Sequence, residues 1–176
     1  MRLSEIISAT GGSLQPATGE DPLITGISTD SRTTSPGELF IPIVGEHHDG
    51  HEFIPAAFER GAVAALSSCA ASPETGRLLV KVSDTLDALE LLALHHRKEL
   101  PFAVVAITGS VGKTTTKEFL SSILGAQFKV AAAPKSFNNR LGVALTLLEA
   151  DEDTEYLVVE MGTSGRGELS YLSGLV

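Results

Sequence analysis

Short apolar runs separated by turn residues fill the first hundred positions of the chain. Three runs of β-branched and other apolar residues predict strands, at 39–44, 62–66 and 78–82. Residues 52–62 predict a short helix, and residues 84–99 predict a longer one, capped by Ser83 or Asp84, whose apolar positions recur at helical spacing. This alternation of strands and helices predicts a small α/β domain over residues 1–100.

The pattern changes after Pro101. The sequence FAVVAI at 102–107 is a continuous apolar run, typical of a strand buried on both faces. A glycine-rich loop follows, and then an amphipathic helix that is predicted to end at Gly125. Three later elements have the patterns of a strand, a helix and a strand, at 128–133, 141–150 and 156–161. Residues 101–176 are therefore predicted to be the first part of a second, parallel-sheet domain.

Composition narrows the classes of function. The 176 residues carry a formal net charge of −9, which disfavours a nucleic-acid binder, and no apolar run approaches the ~20 residues that cross a bilayer. The N-terminus lacks the apolar segment of a signal peptide. The single cysteine, Cys69, cannot form an internal disulfide, so we expect a reducing cytoplasm as the location.

The loop TGSVGKTT, residues 108–115, carries the chemistry of a phosphate-binding loop. Such a loop needs glycines that expose backbone N–H groups, a helix that begins at once, a lysine for the phosphates and a hydroxyl for Mg²⁺. The predicted nucleotide contacts are Gly109, Ser110, Val111, Gly112, Lys113, Thr114 and Thr115. The full P-loop pattern has a further glycine where this chain has Ile107, so the loop is a shortened form. Lys117 and Glu118 are predicted to be solvated.

Two other stretches lie where a nucleotide site would find partners. Glu160 ends the last predicted strand, at the edge where ligands bind open parallel sheets, and a carboxylate there can hold Mg²⁺ directly or through water. The alternative is a strand-end residue that faces solvent. Asn138 and Asn139 precede a predicted helix, and their composition alone predicts ordinary turn or cap residues.

Five segments resemble the Mur ligases, in the family's order. They are STDSRTTSPGELFIPIVGEHHDGHEFIPAAFERGA, VSDTLDALELLALHHR, AITGSVGKTTTKEFLSSIL, SFNNRLGVALTLL and EYLVVEMGTSGRGELSYL. The shortened loop is the form that this family uses. The resemblance implies an ATP-dependent ligase of peptidoglycan synthesis, which activates UDP-MurNAc-tripeptide as an acyl phosphate and joins it to D-Ala-D-Ala. The last two segments favour this branch over the sister enzyme that adds the third amino acid, which stays an alternative.

The resemblance also implies roles for particular residues. The first domain would hold the uridine diphosphate moiety next to Asp30, through Ser31, Arg32, Gly45, His48, Asp49, Gly50 and His51. Lys113 and Glu160 would act in catalysis, Thr114 and Glu160 would hold Mg²⁺, and Asn138 would lie on the nucleotide side. The implied cofactors are ATP and Mg²⁺. The expected partners are the two small-molecule substrates, with no nucleic acid and no membrane, and we expect a monomer.

Several rival interpretations remain open. The HHDGHE cluster, residues 47–52, could hold a metal or be a plain polar turn, and its spacing does not give the H-E-x-x-H pattern. Without the resemblance, Asp30 to Arg32 would be a polar turn. The family's carbamoylated lysine and C-terminal domain would lie beyond Val176, so we expect an inactive fragment. The chain could also be a non-catalytic nucleotide- or UDP-sugar-binding module, or a piece of a P-loop kinase or GTPase.

Overall fold

The chain divides into two compact units, Met1–Leu89 and Glu90–Val176. The structure, a computed structural model, describes residues 1–45, 48–69, 77–133, 137–163 and 165–176. Among these residues, no helix combines the length and the apolar character needed to cross a membrane. The division of the chain into a substrate domain at 1–100 and a nucleotide domain at 101–176 stays a prediction.

A five-stranded sheet lies at the centre of the first unit. Its strands are β1 (Ser13–Gln15), β2 (Ile27–Ser28), β3 (Leu39–Phe40), β4 (Ala64–Ser67) and β5 (Leu78–Lys81). The order is β1-β5-β4-β3-β2, with β1 antiparallel to β5 and the other pairs parallel. The strand predicted at 39–44 is shorter than expected, because Pro42 has no N–H to donate to a ladder.

Two of the helices of the first unit match the helices predicted at 52–62 and 84–99, and α1 (Leu3–Thr10) was not predicted. The other elements are a 3₁₀ turn (Gly50–Phe53) that continues into α2 (Ile54–Glu59), and α3 (Thr85–Glu99), within which the two units divide. Asp84 caps α3, because its Oδ1 accepts from the backbone N–H of Leu86 at 2.8 Å and of Asp87 at 2.9 Å. The Thr85 hydroxyl donates to the carbonyl of Pro42, which ties the start of α3 to the segment after β3.

The second unit contains a parallel sheet, as the sequence predicts. Its elements are β6 (Ala103–Ile107), α4 (Lys113–Gly125), β7 (Val130–Ala132), α5 (Arg140–Leu148), β8 (Tyr156–Glu160) and α6 (Glu168–Ser173). The strand order is β6-β8-β7, and both pairs are parallel. The carboxyl ends of the three strands therefore share one edge of the sheet, and the loops that follow them meet there.

The expectation that residues 102–107 form a strand buried on both faces is wrong. Ala103 and Ala106 are exposed, because strand side chains point to the faces of a sheet and no described residue covers these two. The central, buried strand is β8, whose residues Leu157, Val158 and Val159 are 0% exposed. An apolar run thus identifies a strand in this unit, and it does not identify the strand's position in the sheet.

Candidate active site

The glycine loop joins β6 to α4 with two residues in backbone conformations that favour glycine. Gly109 has φ +145° and Gly112 has φ +76°. Gly112 is also the N-cap of the 13-residue helix α4, so the helix begins directly after the loop. The Nζ of Lys113 donates to the carbonyl oxygen of Gly109 at 2.8 Å, which holds the ammonium group over the loop. The positive end of a helix dipole and a lysine therefore share one anion-binding position.

Glu160 brings three chain segments together at the end of β8. Its carboxylate accepts from the Thr114 hydroxyl at 2.9 Å through Oε2, and from the Asn138 amide at 3.0 Å through Oε1. Glu160 is 1% exposed, so the alternative of a solvent-facing strand end is wrong. Thr114 lies in the first turn of α4 and Asn138 lies just before α5. The loop pattern predicted Thr114, and the resemblance selected Asn138.

The chemistry of these donors fits a magnesium ion. A carboxylate that is 1% exposed carries a large desolvation cost, and the Thr114 and Asn138 groups that hydrogen-bond to it are neutral. The Thr114 hydroxyl and the Glu160 carboxylate are hard oxygen ligands of the kind that Mg²⁺ takes in phosphate sites. A divalent cation held by Thr114 and Glu160 would offset the buried negative charge.

A pocket of about 240 Å³ opens beside these groups. Its lining residues are Lys113, Asn138, Asn139, Gly162, Thr163 and Glu168. Asn139 is also the N-cap of α5, as its position predicts, because its Oδ1 accepts from the Gly142 N–H at 2.9 Å. Thr163 and Glu168 received no predicted role. The only sequence signal for Glu168 is its place in EYLVVEMGTSGRGELSYL, one of the five segments that resemble the Mur ligases.

The remaining predicted loop residues have exposed side chains. They are Ser110, Val111 and Thr115, with Val111 at 87%. Of all the predicted nucleotide and metal residues, only Lys113 and Asn138 line the pocket.

Lys117 is buried, so the expectation that its side chain is solvated is wrong. It is 1% exposed, its Nζ donates to the carbonyl oxygen of Ala133 at 2.7 Å, and it pairs with Glu118 Oε1 at 3.0 Å. Lys117 lies four residues after Lys113, on the same face of α4. This spacing was the available signal that the side chain would point towards the sheet.

A second cleft, of about 500 Å³, lies in the first unit. Its lining residues are Thr29, Asp30, Ser31, Arg32, Phe40, Ile43, His48, Gly50 and Phe53. It brings Ser31 and Arg32 together with His48 and Gly50, which are four of the seven predicted substrate contacts. Gly45, Asp49 and His51 belong to the same loop and are not among the lining residues.

Arg32 and Asp30 form an exposed ion pair at the rim of this cleft. The guanidinium donates from Nε to Oδ1 at 2.9 Å and from a terminal nitrogen to Oδ2 at 2.7 Å. The Arg32 side chain is 86% exposed. The hydrogen bonds from the Arg32 side chain and backbone hold the pKa of Asp30 at about 2, below the ordinary 3.8. The triplet is thus a polar turn that presents a cation to the cleft.

The loop at 44–51 is closed by its own backbone. The N–H of Gly45 donates to the His48 carbonyl at 2.9 Å, and the N–H of Gly50 donates to the Ile43 carbonyl at 3.1 Å. A Cβ on Gly50 would lie 2.6 Å from the Ile43 nitrogen and 2.7 Å from its oxygen, so only glycine fits there. Glu46 and His47 lie outside the described residues.

Asp49 and His51 fasten this loop to the end of β4. Asp49 Oδ1 accepts from the His51 backbone N–H at 2.9 Å and lies 2.6 Å from His51 Nδ1. These two contacts lower the pKa of Asp49. The Ser68 N–H donates to His51 Nε2 at 3.0 Å, so the imidazole proton lies on Nδ1.

The same groups bear on the metal alternative for the HHDGHE segment. Ligand atoms of Asp49, His51 and Cys69 lie within 4.8 Å of one another. Both ring nitrogens of His51 already have hydrogen-bond partners, Asp49 and Ser68. A metal ion would have to displace one of these partners. The geometry therefore favours a structural role for His51, in holding the loop to the end of β4, over a role as a metal ligand.

Comparison with known proteins identifies the family of both units. Residues 23–97 match the family described as "Mur ligase family, catalytic domain", and residues 107–176 match the "Mur ligase middle domain". The chain is 40% identical, over 174 residues, to UDP-N-acetylmuramoyl-tripeptide--D-alanyl-D-alanine ligase of Bacillus subtilis. This alignment covers 98% of the chain and 38% of the relative, so the chain spans about two fifths of the length of that protein.

Solved structures give the same result. A crystal structure of MurF from Acinetobacter baumannii is 33% identical, with a TM-score of 0.88 over 98% of this chain and 38% of that one. MurF ligase from Thermotoga maritima, solved in complex with ADP, is 31% identical, with a TM-score of 0.76 over 88% of this chain and 36% of that one. The predicted α/β class with parallel sheets is confirmed, and the chain belongs to the Mur ligase family.

Proposed function

We propose that this chain carries the nucleotide site and the UDP-sugar site of an ATP-dependent ligase of peptidoglycan synthesis. The ligase would join D-Ala-D-Ala to UDP-MurNAc-tripeptide. The observation that carries the proposal is the buried Glu160 carboxylate, held by Thr114 and Asn138 beside the glycine loop. The similarity to ligases with this activity extends over 98% of the chain, and it supports the choice of substrates.

The glycine loop is suited to the phosphates of ATP. The backbone N–H groups at the start of α4 and the Lys113 ammonium would stabilise the negative charge that develops on the transferred phosphoryl group. Lys113 would exchange its Gly109 carbonyl partner for a phosphate oxygen. Thr114 and Glu160 would hold Mg²⁺, which supplies charge neutralisation on the phosphate oxygens when it is bound.

The reaction forms one amide bond and consumes one ATP. A carboxylate oxygen of the tripeptide attacks the γ-phosphorus and ADP leaves, which yields an acyl phosphate. The amine nitrogen of D-Ala-D-Ala then attacks the acyl carbon, inorganic phosphate leaves, and the amine loses a proton. The described groups contribute to the first step, because Lys113 and the start of α4 face the charge that grows there.

The cleft of the first unit is suited to the uridine diphosphate part of the substrate. Phe40, Ile43 and Phe53 give its lining apolar and aromatic surface. Arg32 supplies a guanidinium at the rim, and guanidinium groups bind phosphate oxygens in a bidentate manner. The location that we propose is the cytoplasm, where ATP is available and a single cysteine stays reduced.

Titration of the chain with ADP, with and without Mg²⁺, tests the nucleotide site. Lys113→Ala should weaken Mg²⁺–ADP binding by at least about tenfold, because it removes a charge-assisted hydrogen bond to phosphate. Lys98→Ala, which removes an exposed lysine near the end of α3, is the matched control. Equal affinities for the two variants would reject the nucleotide site.

Phosphate release from ATP by the complete gene product tests the choice of substrates. Release should require UDP-MurNAc-tripeptide together with D-Ala-D-Ala. Release with UDP-MurNAc-dipeptide and a third amino acid would instead identify the sister ligase. Nucleotide binding without phosphate release on either substrate pair would identify a non-catalytic binding module.

A further inference from the structure

A cluster of three charged and polar side chains, built on one buried carboxylate, lies next to the nucleotide pocket in the second unit. Arg140 donates from Nε to Glu90 Oε1 at 2.8 Å and from a terminal nitrogen to Glu90 Oε2 at 2.7 Å. The Tyr171 hydroxyl also donates to Glu90 Oε2, and it accepts from Arg140 at 3.0 Å. The guanidinium lies over the Tyr171 ring, 4.9 Å from its centroid. We refer to these residues as the Glu90 cluster.

The Glu90 carboxylate is the anchor of this cluster. Its side chain is 5% exposed, against 38% for Arg140. A carboxylate in such a position is costly unless every acceptor site is used, and here both oxygens accept from Arg140 while one also accepts from Tyr171. The hydrogen bond to Glu90 also raises the pKa of the Tyr171 hydroxyl, so the phenol keeps its proton and remains a donor. The three groups therefore define one fixed arrangement.

Two members of the cluster lie beside pocket residues in the chain. Arg140 is the first residue of α5 and directly follows Asn139, the N-cap residue that lines the pocket. Tyr171 lies about one turn further along α6 than the pocket residue Glu168, which it follows by three residues. Movement of either side chain would shift a segment that lines the pocket.

Asn138 connects the cluster to the Glu160 carboxylate. Its side-chain amide donates to Glu160 Oε1 at 3.0 Å, and its backbone carbonyl oxygen accepts from the Gly162 N–H at 2.7 Å. A Cβ on Gly162 would lie 2.8 Å from Asn138 Cγ, so the two residues are in close contact. Asn138 lies two residues before Arg140, so the segment that carries its side chain leads directly into the start of α5.

We propose that Glu90, Arg140 and Tyr171 are positioning residues of the nucleotide site, which hold Asn138 against the Glu160 carboxylate and Glu168 at the pocket. This proposal rests on the proposed nucleotide function. None of the three touches the proposed phosphate position, so their effect passes through the start of α5 and through α6. In the sequence they are separated by 50 and 31 residues and form no motif.

Removal of the Tyr171 hydroxyl gives the sharpest test. Tyr171→Phe keeps the ring beneath Arg140 and removes the donor to Glu90 together with the acceptor for Arg140. We expect the gain in ADP affinity caused by Mg²⁺ to fall about tenfold, because Glu160 loses its fixed geometry. The control is Tyr156→Phe, at the other end of β8 from Glu160. Equal Mg²⁺ dependence in the two variants would overturn the proposal.

Amide hydrogen exchange in the nucleotide-free chain separates positioning from general stability. In Tyr171→Phe, exchange at Gly162 and Gly142 should accelerate about tenfold, while exchange at Val158 inside β8 stays as in the unmodified chain. Equal acceleration at all three amides would mean that the cluster only stabilises the unit, and would overturn the proposal. Arg140→Lys, which keeps the charge and loses the two-pronged contact, should accelerate the same two amides.

The exchange measurement also keeps the two proposals distinct. If the unmodified chain shows no Mg²⁺-dependent ADP binding, the nucleotide function is rejected. Faster exchange at Gly162 and Gly142 alone in Tyr171→Phe would then still show that the cluster positions these loops. Unchanged exchange at these two amides would reject the positioning role as well.

Discussion

The two candidate sites differ in how they hold charge. In the second unit, the Glu160 carboxylate is 1% exposed and is held by donors from two other chain segments. In the first unit, Asp30 and Arg32 lie two residues apart, and the Arg32 side chain is 86% exposed. The nucleotide pocket is thus assembled by the tertiary fold, whereas the charges of the cleft belong to a single turn.

This difference predicts where each site is sensitive to mutation. A buried charge interacts strongly and is costly to alter, because little water is present to screen it. A surface pair is screened, and its loss changes little apart from the ligand contact itself. In the cleft, the rigid part is the backbone, where Gly50 lies against Ile43 without room for a side chain.

The largest effect is expected for Glu160→Gln. The amide keeps the size of the side chain and removes the charge that would face Mg²⁺. Loss of groups that only orient metal ligands lowers metal affinity about 10–100-fold. Loss of a proposed ligand should therefore lower the factor by which Mg²⁺ raises ADP affinity by at least about 100-fold. Titration calorimetry with and without Mg²⁺ measures this gain, and Glu152→Gln, at an exposed position, is the control. A gain that survives in Glu160→Gln would contradict the metal role.

The next effect is expected for Gly50→Ala. The new methyl group would meet backbone atoms of Ile43 at 2.6 and 2.7 Å, which cannot move aside as a side chain could. We expect a loss of about 3 kcal/mol in the free energy of unfolding of the first unit, together with loss of UDP binding. Gly19→Ala is the control, since a Cβ there meets nothing within 4 Å. Thermal unfolding and UDP titration measure the two effects, and matching results for both variants would show that the loop backbone tolerates change.

Local patterns predicted much of the second site. The strand, glycine loop and helix identified Lys113 and Thr114, and the end of the last strand identified Glu160, because parallel strands bring their carboxyl ends to one edge. The sequence also predicted Asp84 as one of two candidate caps of α3, because capping depends on a few neighbouring residues.

Features that depend on distant contacts were not predicted. The exposure of β6 depends on what covers the faces of the sheet, and neither this cover nor the strand order is encoded in the apolar run itself. The burial of Lys117 follows from the face of α4 that meets the sheet. The Glu90 cluster joins residues 50 and 31 positions apart, so no window of local sequence could reveal it.

A smaller effect is expected for Arg32→Ala. Because the side chain is exposed, its removal should leave the thermal stability of the first unit unchanged and weaken UDP binding about tenfold, the cost of one charge-assisted contact to phosphate. The weakening should shrink as salt is added. Lys81→Ala, at an exposed position on β5, provides the control for general charge effects. Unchanged UDP affinity would remove Arg32 from the substrate contacts.

The smallest effect concerns the protonation of Asp30. Its pKa lies at about 2 in the folded chain, below the ordinary 3.8, because the Arg32 side chain and backbone donate to it. A lowered carboxyl pKa adds stability that is present above the ordinary value and is lost as the pH falls through the folded value. UDP binding should therefore show no titration of Asp30 between about pH 5 and 8. Carboxyl-carbon NMR should find the pKa of Asp30 raised towards 3.8 in Arg32→Ala and unchanged in Lys81→Ala. A pKa of Asp30 that stays low without Arg32 would mean that the backbone of the turn, and not the exposed guanidinium, sets the charge at the rim of the cleft.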